Sequence, residues 1–236
     1  MNNISKVMKY QLRDFKTAIL IYYAIILAII LSLIIYKIFI NPSDNAYFSG
    51  FGGSAVIFLF IAGLNSFKAN FKFMLVNNVS RRNFFYGSFI AFAIVAFFMA
   101  LIEIMINMSL NLIVEYEGLY EQLYYLEEYY YFADLLWSFT LFLFSVNLGL
   151  LITMLYYKSN KLMKTVISLI PAAVVILLIA LNNLTGGAII NVFYEFYRDT
   201  LGFPNNSYIA VVSFTVATIG LLGLNFLLIR KMPIKD

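Results

Sequence analysis

The chain has no cysteine and no histidine among its 236 residues. The first absence excludes disulfides, thiol chemistry and Cys-ligated metals. The second removes the commonest general base and metal ligand. Charge is scarce too: 12% of residues are Asp, Glu, Lys or Arg, where a soluble domain carries about 25%. None of the twelve glycines precedes a lysine, so no GxxxxGK[ST] phosphate loop exists and the chain is not itself a P-loop ATPase. Glu127-Glu128 is a carboxylate pair set among tyrosines with no metal-ligand partner. An enzyme is not expected, and neither is a nucleic-acid partner or a cofactor held by this chain. Between the apolar runs the longest stretch, 109–134, has 26 residues, far short of the ~50 that a small soluble domain needs.

What is present is apolar. Hydrophobic residues make up 63% of the chain and the mean hydropathy is +0.87. Six runs, over residues 17–36, 48–67, 84–108, 135–157, 165–184 and 207–229, are long enough at 1.5 Å per residue to cross ~30 Å of hydrocarbon. The expected fold is an all-α integral membrane protein: one transmembrane domain of six helices over residues 1–236.

Residues 1–16 carry Lys6, Lys9, Arg13 and Lys16 against Asp14. Val7, Tyr10, Leu12 and Phe15 interleave with them, which predicts an amphipathic helix lying on the membrane surface. The second run opens on Gly50, Gly52 and Gly53, which permit either close helix contact or a break. In the sixth, Ala210, Ser213, Ala217 and Gly220 share one face at spacings of three, four and three. Residues 188–206, with Glu195, Arg198, Asp199 and Pro204, are too polar to cross and too apolar for a free loop. Short re-entrant or interfacial pieces are expected there.

Two loops stand out. Residues 115–131, EYEGLYEQLYYLEEYYY, hold five glutamates, seven tyrosines and no cation. Leu119, Leu123, Leu126 and Tyr130 predict a short amphipathic helix, either an aromatic belt at headgroup level or an anionic mouth for cationic peptides. Residues 68–83, KANFKFMLVNNVSRRN, are basic. Phe71, Met74 and Leu75 form an apolar face, Asn77-Asn78 breaks the helix, and Ser80 is placed to cap the next one. Glu103 lies within or just at the outer end of the third run. It is read either as an interface carboxylate or as a residue on a substrate path.

The positive-inside rule orients the chain. With both termini in the cytoplasm, 14 of the 16 Lys and Arg lie inside, leaving Lys37 and Arg198 outside, and nine of the twelve acids lie outside. Intramembrane charge is too sparse for an ordinary ion-driven transporter, so energy for any work is expected from another polypeptide.

This order of elements resembles the type-2 permease subunit of bacterial ATP-binding-cassette exporters. It comprises a basic head, two spans, a short inner loop, four more spans and a semi-apolar segment before the last. The inner loop is similar to that family's in Asn77-Asn78-Val79-Ser80-Arg81-Arg82-Asn83-Phe84-Phe85, with Asn78 where Gly is frequent. Size and composition are similar to permeases of peptide exporters, such as the phenol-soluble modulin exporter. The resemblance implies a multi-pass protein of the bacterial cytoplasmic membrane, paired with a second permease copy as a homo- or heterodimer and with an ATPase subunit that binds ATP and Mg. It implies that 68–83 is a coupling helix. Phe71, Lys72, Phe73, Met74 and Leu75 would be its inserted part, and Asn77, Asn78, Val79, Ser80, Arg81 and Arg82 its polar flank. An amphipathic peptide or other lipid-partitioning compound would be the substrate. A peptide-antibiotic immunity permease, an importer subunit and a non-transporting sensor or scaffold remain as alternatives.

Overall fold

The computed structural model describes residues 3–39, 48–114, 116–124 and 130–233. Among them the chain is helical almost throughout. The helices are α1 (Asn3–Phe39), α2 (Phe51–Asn65), α3 (Lys68–Val76), α4 (Arg81–Leu110), α5 (Leu119–Leu123), α6 (Tyr131–Lys158), α7 (Lys161–Leu184), α8 (Ala188–Leu201) and α9 (Ser207–Arg230). Two two-residue strands, β1 (Phe48–Ser49) and β2 (Tyr116–Glu117), pair in parallel. Five helices, α1, α4, α6, α7 and α9, are long and apolar enough to cross a membrane. The count is six if α2 and α3, bent by 41° at the break between them, form one span. The chain is an all-α, multi-pass membrane protein.

The basic head is not a separate surface helix. It is continuous with the first span in the 37-residue α1, about 55 Å long at 1.5 Å per residue. The reason is a stripe of inward-facing residues at four-residue spacing, Val7, Gln11 and Phe15, that continues through Ile26 and Ile30. Gly87 of α4 admits Val7 so closely that a Cβ there would lie 2.6 Å from the Val7 Cβ. Polar bonds fix the register. Gln11 Nε2 donates to Ser88 Oγ (3.1 Å) and Ser66 O (3.4 Å). Asn70 Nδ2 donates to Gln11 Oε1 and Asp14 Oδ2, both at 2.9 Å. Buried polar groups in lipid must be satisfied in this way, so the head is held against α3 and α4.

The bundle centre is the α2–α6 crossing. A Cβ on Gly63 would collide with the Val146 carbonyl, and one on Gly149 with the Phe60 carbonyl. These reciprocal glycines bring two backbones together, the contact that dispersion rewards in lipid. The small-residue face of the last span is used in part. Ala210 is buried and Ser213 Oγ donates to Thr200 O (2.6 Å), but Gly220 faces open space. Asn225 Nδ2 ties α9 to α6 through Asn147 O (3.2 Å). Gly50 takes φ +107° before α2, while Gly52 lies inside that helix.

Helices α7 and α8 differ from the rest: neither has a buried residue. Residues 188–201 form one amphipathic helix, closed at both ends by left-handed glycines, Gly187 (φ +94°) and Gly202 (φ +68°). A continuous helix replaces the several short pieces expected.

Candidate functional site

Two places gather the residues that the sequence singled out, one at each end of the bundle. At the basic end, α3 is bolted to the spans by aromatic rings. Phe67 and Phe71 stack at 4.7 Å, and both meet Phe84 and Tyr157 edge-on at 5.4–6.4 Å. Phe71 and Met74 are buried in this chain's own core, so they are not the outward face expected of them. The period explains why. A nine-residue helix over a bundle must turn i and i+3 inward, and Phe71 and Met74 are that pair.

What α3 turns outward is Lys72, Phe73 (49% exposed) and Val76 (73% exposed), beside exposed Asn77, Asn78, Ser80 and Arg82. Leu75 and Arg81 are half-buried and Val79 is buried. Phe73 stacks on Tyr10 of α1 at 5.0 Å.

The turn after α3 is a Schellman-type cap. Val79 N–H donates to Met74 O (3.0 Å) and Asn78 N–H to Leu75 O (3.1 Å). Asn78 has φ +57°, the left-handed conformation that Asn tolerates best after Gly. Ser80 Oγ then accepts from Asn83 N–H (3.2 Å) and starts α4. Loop and cap form a rigid corner whose tip mixes cations with apolar side chains.

At the opposite end, Glu103 is 4% exposed and faces a small cavity together with Asn107 (2%) and Asp134 (1%). Gly52, Leu119, Tyr120, Trp137, Ser138 and Phe142 complete the walls. Glu103 and Asn107 are one turn apart on α4, as are Asp134 and Ser138 on α6, and Ser138 Oγ donates to Asp134 Oδ1 (2.9 Å). Asp134 and Asn107 were missed from the sequence as site residues. The available signal was the pair of i, i+4 polar couples near the same end of two facing spans.

This cavity is walled in part by Leu119 and Tyr120 of the tyrosine-rich loop. Its five-residue α5 begins where Glu121 Oε2 accepts from Gly118 N–H (2.8 Å). Tyr120 and Tyr124 are buried, while Tyr130 and Tyr131 are half exposed. The Tyr120 hydroxyl bonds Ser207 Oγ (2.9 Å) and the Tyr124 hydroxyl donates to Leu201 O (2.7 Å). Leu126, Glu127 and Glu128 lie outside the described residues. Burial pushes the Tyr116 hydroxyl well above its usual value, with the nearby Glu103 adding to the effect. Burial likewise raises the Glu121 carboxyl, and the Gly118 N–H offsets part of that rise.

Fold and sites together define a helical membrane protein with a basic, partly apolar corner at one end and a capped acidic cavity at the other. No protein-family model matches the chain, and no curated protein or solved structure matches it significantly.

Proposed function

We propose that the chain is the permease subunit of an ATP-driven exporter of amphipathic peptides or other lipid-partitioning compounds. It works with a separate ABC ATPase that supplies the ATP and Mg site, and with a second permease copy. In this reading both termini and α3 face the bacterial cytoplasm.

The observation that carries it is the α3 corner. Its exposed surface, Lys72, Phe73, Val76 and Arg82, is basic and apolar at once. Topological retention needs the cations but not exposed Phe73 and Val76 at a membrane-free tip. Its inner surface locks onto α4 and α6 through Phe71, Phe84 and Tyr157. A force applied to the tip would therefore reach two spans as a rigid-body motion. The inserted face in this reading is Phe73 with Val76, while Phe71 and Met74 anchor the corner.

The test is a pull-down of the tagged chain from native membranes in mild detergent, with an ATPase assay of the eluate. The expected result is a stoichiometric nucleotide-binding partner of ~25–35 kDa, a chain of one or two ordinary domains. Val76→Asp should release that partner while the permease stays folded. Recovery of the chain alone in every detergent would overturn the reading.

A further inference from the structure

The capped cavity beside Glu103 goes beyond the export reading and does not depend on it. Glu103 Oε1 and Asn107 Oδ1 are both buried, and neither has a hydrogen-bond donor among the described residues. Among the described residues no lysine or arginine pairs with Glu103. An unpaired ionised carboxylate in a water-poor interior is too costly to persist. Something positive must meet it, either a proton or a bound cation.

The walls say what. Every ligand-capable atom on Glu103, Asp134, Ser138, Tyr120 and the Asn107 carbonyl is oxygen, the donor set that hard cations take and soft ones do not. Two glycines make the room. A Cβ on Gly52 would lie 2.9 Å from Glu103 Oε1 and 2.8 Å from the Leu119 Cβ. A Cβ on Gly118 would collide with the Asn107 amide. The free volume, about 10 Å³, admits one water-sized occupant. That size excludes hydrated Mg, which keeps several waters. Its elements are four, α2, α4, α5 and α6, so an occupant would tie the tyrosine cap to the bundle.

We infer that this cavity binds one dehydrated hard cation, sodium or calcium, between Glu103, Asn107 and Asp134. The ion neutralises Glu103 and clamps α5 over the α4–α6 seam. It is a structural or regulatory cation site and not a contact for the exported compound.

The test uses the full chain purified in detergent. Binding of 22Na+ and of 45Ca2+ is measured by scintillation proximity, with choline chloride holding ionic strength constant. The expected result is saturable binding of one of the two ions, displaced by its own unlabelled salt and accompanied by a rise in thermal stability. Glu103→Gln and Gly52→Ala should each weaken binding by about tenfold or more. Glu195→Gln, on exposed α8, should leave it unchanged. Absence of saturable binding of both ions to the wild type would overturn the inference. So would Glu103→Gln binding as tightly as wild type, or a thermal stability that follows pH alone and ignores both ions, which would assign a proton. The wild-type measurement decides even if a variant does not fold. Loss of the ATPase partner in the pull-down leaves this result untouched.

Discussion

Helix α7 is as apolar as the spans of the bundle of α1, α2, α4, α6 and α9, yet it and α8, joined to it as a hairpin, are held in the opposite way. The bundle has glycine-to-backbone contact at Gly63 and Gly149, an aromatic cluster at Phe67, Phe71, Phe84 and Tyr157, and buried amides at Gln11, Asn70 and Asn225. The hairpin has no buried residue, and Leu169, Ile176 and Val192 are all exposed. Apolarity puts a helix in the membrane, but it does not choose its neighbours, because lipid tails are as apolar as leucine. Shape and polar complementarity choose them, and α7 carries neither toward the bundle.

The comparison breaks most sharply at the α2–α6 crossing. Gly149→Leu should force these helices apart and destabilise the protein by about 3 kcal/mol, the upper range for overpacking. Gly220→Leu on α9, where nothing lies within 4 Å of a Cβ, should cost almost nothing. Thermal unfolding in detergent measures both, and equal losses would contradict the assignment of the crossing.

Next in size is the amide network that fastens the head of α1. Asn70→Ala removes two bonds at 2.9 Å and leaves the Gln11 and Asp14 acceptors short of a donor. A loss of about 2 kcal/mol is expected. Protease cleavage after Lys6 or Lys9 should also accelerate as the head loosens. Unchanged cleavage would mean the head is held by Val7 and Phe15 alone.

A smaller effect sits at the joint between bundle and hairpin, where Tyr120 and Tyr124 reach Ser207 and Leu201. Glu121 begins that cap with its carboxyl raised by burial. The folded form therefore binds the proton more tightly than the unfolded chain does. Between the ordinary carboxylate value and the raised one, the unfolded chain holds fewer protons, so stability falls as pH rises through that window and recovers on acidification. The group is partly solvated, which limits the effect to the order of 1 °C in Tm. Glu121→Gln should flatten that part of the pH profile, and a variant profile that matches wild type would remove Glu121 from the joint.

The smallest effect is expected on the hairpin itself. Ile176→Leu and Val192→Leu should leave the unfolding temperature of the single chain within error, since ordinary surface changes stay within about 0.5 kcal/mol. A loss of several degrees would mean that these faces are covered in the protein as it exists in the membrane.

Much of the fold was legible in the residues. Apolar runs located the long helices: 84–108 lies inside α4 and 207–229 inside α9, while 17–36 covers only the later part of α1. Asn78 and Ser80 announced the turn and cap that join α3 to α4, because a left-handed residue and a side-chain acceptor are local requirements. The direction in which a side chain points was less legible. Phe71 and Met74 read as an outward apolar face and proved to be an anchor. Residues 1–16 read as a surface helix and proved to be the first turns of α1. Glu103 read as a solitary acid and proved to share a cavity with Asn107 and Asp134.

By itself the sequence determined a membrane protein of helices with short links, because hydropathy, caps and charge are properties of neighbouring residues. Only tertiary structure decided that Gly63 meets Gly149, that α7 stands apart, and that carboxylates 31 positions apart in the chain face one small cavity. Those outcomes depend on side-chain volume and on which buried polar atoms find partners, and both are properties of pairs that the fold alone brings together.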